Sequence, residues 1–252
     1  MTERPTLVLG PSLGTSAATL WAECGSLLAN DFRVLAWDLP GHGTDREPAP
    51  TDLRIEDLAR RVPDRVVGRF CYAGDSVGGA AGLQLLLDAP DRVTAAVLIS
   101  TGAKIGTPDG WHERAEIARR SGTPALVTMA TERWFDREFV EREPGRVSAL
   151  LHALFDADDE GYAAVCEALA AFDVRQRLSE IETPVLAVAG AADIATPVEK
   201  LREIADGVGD GRLVVLDGVG HLAPIERPDD VARLIAGHCL ARPEATPGEG
   251  LP

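Results

Sequence analysis

Ser76 stands in Gly74-Asp75-Ser76-Val77-Gly78-Gly79, after the apolar run 69–74 and before the small-residue run Ala80-Ala81-Gly82-Leu83. A G-x-S-x-G stretch between a strand and a helix makes a sharp elbow that lifts the serine hydroxyl above a sheet. A hydroxyl is a weak nucleophile without a base. Of the five histidines, His221 suits that role best. It lies in Gly218-Val219-Gly220-His221-Leu222, directly after the last apolar run, and so reaches the same sheet edge as the elbow. An imidazole base needs a carboxylate to hold its tautomer. Asp193, in Gly190-Ala191-Ala192-Asp193-Ile194-Ala195-Thr196-Pro197, follows another apolar run, and Asp217 is the weaker rival. The order is serine, acid, histidine. His42, among glycines, reads as a structural turn residue, His112 and His152 as members of a helical stretch that could line a pocket, and His238 as a surface or packing residue. The oxyanion formed by serine attack needs two donors. The Val77 N–H at the helix start is one, and the loop at residues 10–15 should supply the other.

The elements that must hold these groups are visible as short apolar runs. Residues 6–10, 33–38, 69–74, 93–100, 184–190 and 212–217 are continuously apolar rather than alternating, as in parallel strands covered on both faces. Helical stretches separate the first four and the last two, which predicts an α/β fold with a mainly parallel sheet of about six strands. Residues 100–183 break the rhythm. Helical patterns at 111–121, 123–134, 144–155 and 158–172 predict four helices inserted as a cap over the sheet. Residues 242–252, rich in Pro, Gly and Glu, predict a disordered tail.

Composition narrows the function. Of 252 residues, 40 are acidic and 25 basic, for a net charge of −15, which argues against nucleic acid as a partner. The four cysteines lie far apart with no metal-ligand spacing, so structural zinc is not expected, and chemistry carried by a serine, a histidine and a carboxylate needs no metal or organic cofactor. The apolar run at 7–9 is too brief for a signal peptide, and no stretch approaches the roughly 18 apolar residues of a membrane span. The expectation is a cytoplasmic protein without membrane attachment, with self-association into a homo-oligomer left open.

With these motifs in place, the chain resembles the α/β-hydrolases, and more narrowly the 3-oxoadipate enol-lactonases. The narrower likeness rests on Ser12-Leu13-Gly14-Thr15, the Ser76 elbow, the run 101–107 leading to Gly110-Trp111, Glu132-Arg133-Trp134-Phe135, the run 159–166, and the Asp193 and His221 loops. It spans about residues 6 to 236. The resemblance implies an α/β-hydrolase core at 1–104 and 179–241 with a helical cap at 105–178. It implies Ser76, Asp193 and His221 as the triad, with Leu13 as the second oxyanion donor beside Val77. The implied reaction opens an enol-lactone through an acyl-enzyme. Such a substrate is anionic, so Arg133 is expected to hold its carboxylate, with Trp134 and Ser12 lining the site; Lys104, Arg114 and Arg119 are the other cations nearby.

This chain departs from the family pattern in three places. It begins at the strand 6–10, without the family's preceding hairpin. Pro11 replaces a usual Asn or His, and Asp75 replaces an apolar residue, placing a carboxyl beside the nucleophile where it would disfavour an anionic substrate. Alternatives are a carboxylesterase, a C–C bond hydrolase, a cofactor-free perhydrolase, a ligand-binding protein and a biosynthetic cyclase on the same scaffold. Turnover of p-nitrophenyl esters marks the esterase, and tight binding without turnover marks the binding protein.

Overall fold

The apolar runs pair into one sheet because each can be covered on both faces by the helices that follow it. The computed structural model describes residues 4–241. Its strands are β1 (Thr6–Gly10), β2 (Arg33–Ala36), β3 (Phe70–Asp75), β4 (Val93–Ile99), β5 (Val185–Gly190) and β6 (Gly211–Leu216). They form a six-stranded sheet in the order β2-β1-β3-β4-β5-β6. Every neighbouring pair is parallel. The mainly parallel α/β architecture expected from the sequence is therefore observed. β3 and β5 are buried along their whole length, whereas β2 and β6 at the two edges are partly exposed.

The first four strands are joined through α1 (Ala17–Leu20), α2 (Ala22–Leu28), α3 (Ile55–Arg60) and α4 (Val77–Asp88). Between β4 and β5 run α5 (Pro108–Ser121), α6 (Val127–Trp134), α7 (Arg137–Arg142), α8 (Pro144–Phe155) and α9 (Asp159–Ala171). The chain closes with α10 (Val198–Gly207), α11 (Ala223–Glu226) and α12 (Pro228–Leu240). Because all strands run the same way, the loops after β1, β3, β5 and β6 open on one edge of the sheet. Those loops carry Leu13, Ser76, Asp193 and His221.

Strand limits differ from the sequence reading by one or two residues, with an identifiable cause at β2. Trp37 and Asp38 leave that strand because the Asp38 carboxylate accepts from the Ala17 N–H at 2.6 Å and from the Thr44 N–H at 2.8 Å. The insertion differs more. α5 starts before Trp111 because the Thr107 hydroxyl caps it, accepting from the Gly110 N–H at 3.2 Å, with Pro108 in the first turn. The expected helix at 123–134 splits into a 3₁₀ turn over Thr123–Leu126 and α6. α7 was not foreseen. The Asp136 side chain caps it, accepting from the Glu138 N–H at 2.9 Å, and buried Phe139 anchors it. The tail expected at 242–252 lies outside the described residues. Among the described residues no helix is long and apolar enough to cross a membrane.

Candidate active site

The elbow is built by close backbone packing. A Cβ at Gly74 would lie 2.4 Å from the Gly78 carbonyl oxygen, and one at Gly78 would lie 2.6 Å from the Pro11 carbonyl oxygen. No side chain fits at either position, so α4 can approach β1 and the loop behind it. Ser76 takes a left-handed backbone, φ 52°, which a non-glycine residue adopts only where its surroundings impose it. Its carbonyl accepts from the Thr101 hydroxyl at 2.7 Å, and its N–H donates to the Ile99 carbonyl at 2.9 Å. The Gly78 N–H donates to the Pro11 carbonyl at 2.8 Å, fixing the β1 loop against the start of α4. Among the described residues, neither the Leu13 N–H nor the Val77 N–H has a partner in the chain.

The histidine and its acid form the other half. The His221 Nδ1–H donates to Asp193 Oδ2 at 2.8 Å. The Thr196 hydroxyl donates to the same oxygen at 2.6 Å, while the Ala195 and Thr196 N–H groups donate to Asp193 Oδ1 at 2.8 and 3.0 Å. Burial alone would raise the Asp193 carboxyl, but the imidazole and the Thr196 donors outweigh it and hold the group below the ordinary carboxylate range. With Nδ1 committed to Asp193, Nε2 is the nitrogen free to act as a base. Asp217, the rival acid, is exposed.

Ser12, Leu13, Ser76, Arg133, Trp134 and His221 line one narrow cavity of about 40 Å³. No hydrogen bond joins the Ser76 hydroxyl to His221 among the described residues. Such contacts commonly tighten only around a substrate. Val77, next to Ser76, is fully buried, and Trp134, only 3% exposed, lines the cavity while packing into the core.

Two of the candidate cations are already paired. Lys104 meets Asp173 at 3.3 Å, and Arg119 meets Glu160 and Glu167 at 2.9 and 2.6 Å. Arg114 and Arg133 both line the cavity, and neither has a carboxylate partner among the described residues. The Arg114 guanidinium lies 5.5 Å from the Trp111 ring centre and 5.6 Å from that of Tyr162, a cation–π sandwich that holds it in place. Arg114 was named from the sequence only as a nearby cation; half of this support, Tyr162, comes from distant α9, the other half, Trp111, from its own helix α5.

Two further acids stand near the triad. Asp75 is fully buried, and neither carboxyl oxygen takes a hydrogen bond of ordinary geometry; the Ser12 hydroxyl faces it. Burial, then the facing Asp193 carboxylate, then Glu226, push Asp75 well above the usual carboxylate range, toward the neutral acid. That upward shift weakens the repulsion of an anionic substrate expected from the sequence. Glu226, 5% exposed, accepts from the Gly220 N–H at 3.1 and 3.2 Å. Sequence reading did not assign it a role.

Of the other histidines, His42 is fully buried and stacks on Tyr162 with ring centres 6.1 Å apart, the packing role expected of it. His152 lines a separate apolar groove between α6, α7 and α8, away from Ser76. His112 is exposed.

The fold is matched by comparison with known proteins. Residues 7–234 match the model of the Alpha/beta hydrolase family, and the chain belongs to that family. It is 33% identical over 230 residues to 3-oxoadipate enol-lactonase 2 of Acinetobacter baylyi, covering 90% of this chain and 85% of the relative. It is 30% identical to 3-oxoadipate enol-lactonase 1 of the same organism, covering 92% and 88%. The crystal structure of the enol-lactonase from Burkholderia xenovorans LB400 superposes with a TM-score of 0.91 at 34% identity, covering 95% of this chain and 92% of that one. The protein is a hydrolase of this family acting on ester bonds.

Proposed function

We propose that this hydrolase opens an anionic enol-lactone of the 3-oxoadipate enol-lactone type by serine acyl-enzyme chemistry. The observation that carries this reading is the cavity that gathers Ser76, His221 and two arginines without carboxylate partners among the described residues. In a chain of net charge −15, such a pair is an unusual local excess of positive charge, suited to a substrate carboxylate. The similarity to enol-lactonases supports the lactone.

In this mechanism the Ser76 hydroxyl attacks the lactone carbonyl while His221 Nε2 takes its proton, and Asp193 stabilises the imidazolium. The Leu13 and Val77 N–H groups, without partners among the described residues, bind the oxyanion. Collapse breaks the ring C–O bond, and the imidazolium gives its proton to the departing enolate oxygen. The enol stays tethered to the acyl group, but its conversion to the ketone removes the oxygen that would close the ring again. Water, deprotonated by His221, then attacks the acyl carbon, and the Ser76 oxygen leaves with the proton. Arg133 and Arg114 hold the remote carboxylate, with Ser12 and Trp134 shaping the wall. The helices of residues 105–178 act as a cap, since they supply both arginines and Trp134.

Loss of lactone ultraviolet absorbance measures the reaction. Wild-type turnover that Ser76→Ala lowers by at least about 10³-fold is expected. A folded wild type whose serine reacts with a fluorophosphonate but which leaves the lactone intact would refute the substrate assignment.

A further inference from the structure

The histidine loop is fastened to the insertion at several points. The His221 and Leu222 N–H groups donate to the Trp134 carbonyl at 2.8 and 3.3 Å. One residue before the histidine, the Gly220 N–H donates to both oxygens of Glu226. The Asp136 N–H, at the start of α7, faces the same carboxylate. Room for this meeting exists only because residue 220 is glycine: a Cβ there would lie 2.7 Å from the Asp136 nitrogen and 2.8 Å from Glu226 Oε1. Thus one buried carboxylate stands between the loop that carries His221 and the segment that follows Arg133 and Trp134.

We propose that Glu226 is a positioning residue whose ionised carboxylate locks the His221 loop to the insertion, so that activity requires its deprotonated form. The inference rests on His221 acting as the base of the proposed reaction. An ionised carboxylate is acceptor-only and serves two N–H groups; the protonated acid turns one oxygen into a donor facing an N–H. Burial pushes the Glu226 carboxyl up to about 7 against the pull of the Gly220 and Asp136 N–H groups, with the Asp136 and Asp193 carboxylates raising it further. Asp75 also faces it from β3, and Arg146 of α8 donates to the neighbouring Ile225 carbonyl at 3.3 Å while pairing with Glu23 of α2. The sign follows directly. As pH falls through the Glu226 pKa the lock opens, and the rate falls with it, in addition to any loss from protonating His221 itself.

The test follows hydrolysis of p-nitrophenyl acetate, a neutral ester, by the wild type, Glu226→Gln and Ser76→Ala from about pH 5 to about pH 9. The wild-type logarithm of kcat is expected to fall on the acid side with a limiting slope of two protons, and that of Glu226→Gln with a slope of one. At the alkaline plateau Glu226→Gln should lose about 10- to 100-fold in kcat, as for a misplaced catalytic group, with KM nearly unchanged. A purely structural role would alter kcat without altering the proton count. A wild-type slope of one overturns the proposal and needs no variant to fold; so does a Glu226→Gln enzyme with wild-type kcat and slope. If Ser76→Ala keeps wild-type activity, the triad reading fails instead. If Ser76→Ala is inactive while the wild-type slope is one, only the role of Glu226 fails.

Discussion

Asp75 and the two arginines illustrate opposite ways of placing charge beside one nucleophile. Asp75 is an acid held without hydrogen bonds at the end of β3, and its raised pKa makes it a liability at high pH. Between the ordinary carboxylate pKa and the raised one, the folded state keeps a proton that the unfolded state has lost, so stability falls as pH rises. Each unit of the shift is worth about 1.4 kcal/mol. Asp75→Asn should therefore be more stable than the wild type by a margin that grows from acidic to alkaline pH, read as Tm in a series of buffers. Arg133 and Arg114 are cations left available. Replacing Arg133 with Ala should raise KM for an anionic lactone by about 10- to 100-fold, the worth of a charge-assisted hydrogen bond, and leave a neutral ester nearly unaffected. Steady-state kinetics on the two substrates separates the cases. At this scale the meeting of Ser76, Asp193 and His221 at one sheet edge was legible because each sits in a short motif after an apolar run. The support of Arg114 by Tyr162 and the seat of Glu226 were not, since both depend on residues distant in sequence.

Elements explain why the short motifs work. β3 and α4 meet at the Ser76 elbow with glycines on both sides, and Gly78 lies directly against the β1 loop. A Cβ at Gly78 meets backbone atoms that cannot rotate away. Gly78→Ala should therefore push the β1 loop from α4, separate the Leu13 and Val77 N–H groups, and lower kcat by about 10²-fold or more, with slower fluorophosphonate labelling of Ser76 as the direct measure. The six strands were readable from apolar runs because a covered parallel strand has no polar face to obscure the pattern. α7 escaped the sequence reading because its six residues offer too little periodicity. Its cap and the buried Phe139 fix it instead. Phe139→Ala should cost about 3–5 kcal/mol of stability in a denaturant titration.

At the scale of the whole molecule, the sheet edge and the net charge pull in different directions. The parallel strands bring Leu13, Ser76, Asp193 and His221 to one edge, while the charge of −15 repels an anionic substrate at long range. Salt screens that long-range repulsion more strongly than a contact inside an enclosed cavity. kcat/KM for an anionic lactone should therefore rise by a small factor with ionic strength, whereas the value for a neutral ester stays flat.

The carbonyl of Trp134 receives the backbone of His221, and Trp134 follows directly on Arg133. If Arg133 holds the substrate and His221 is the base, as proposed, recognition and chemistry share a single joint. The insertion is not an exchangeable cassette. Grafting a foreign one onto this sheet to change substrate would retune the base along with the pocket, and drift in either part would select for compensating change in the other.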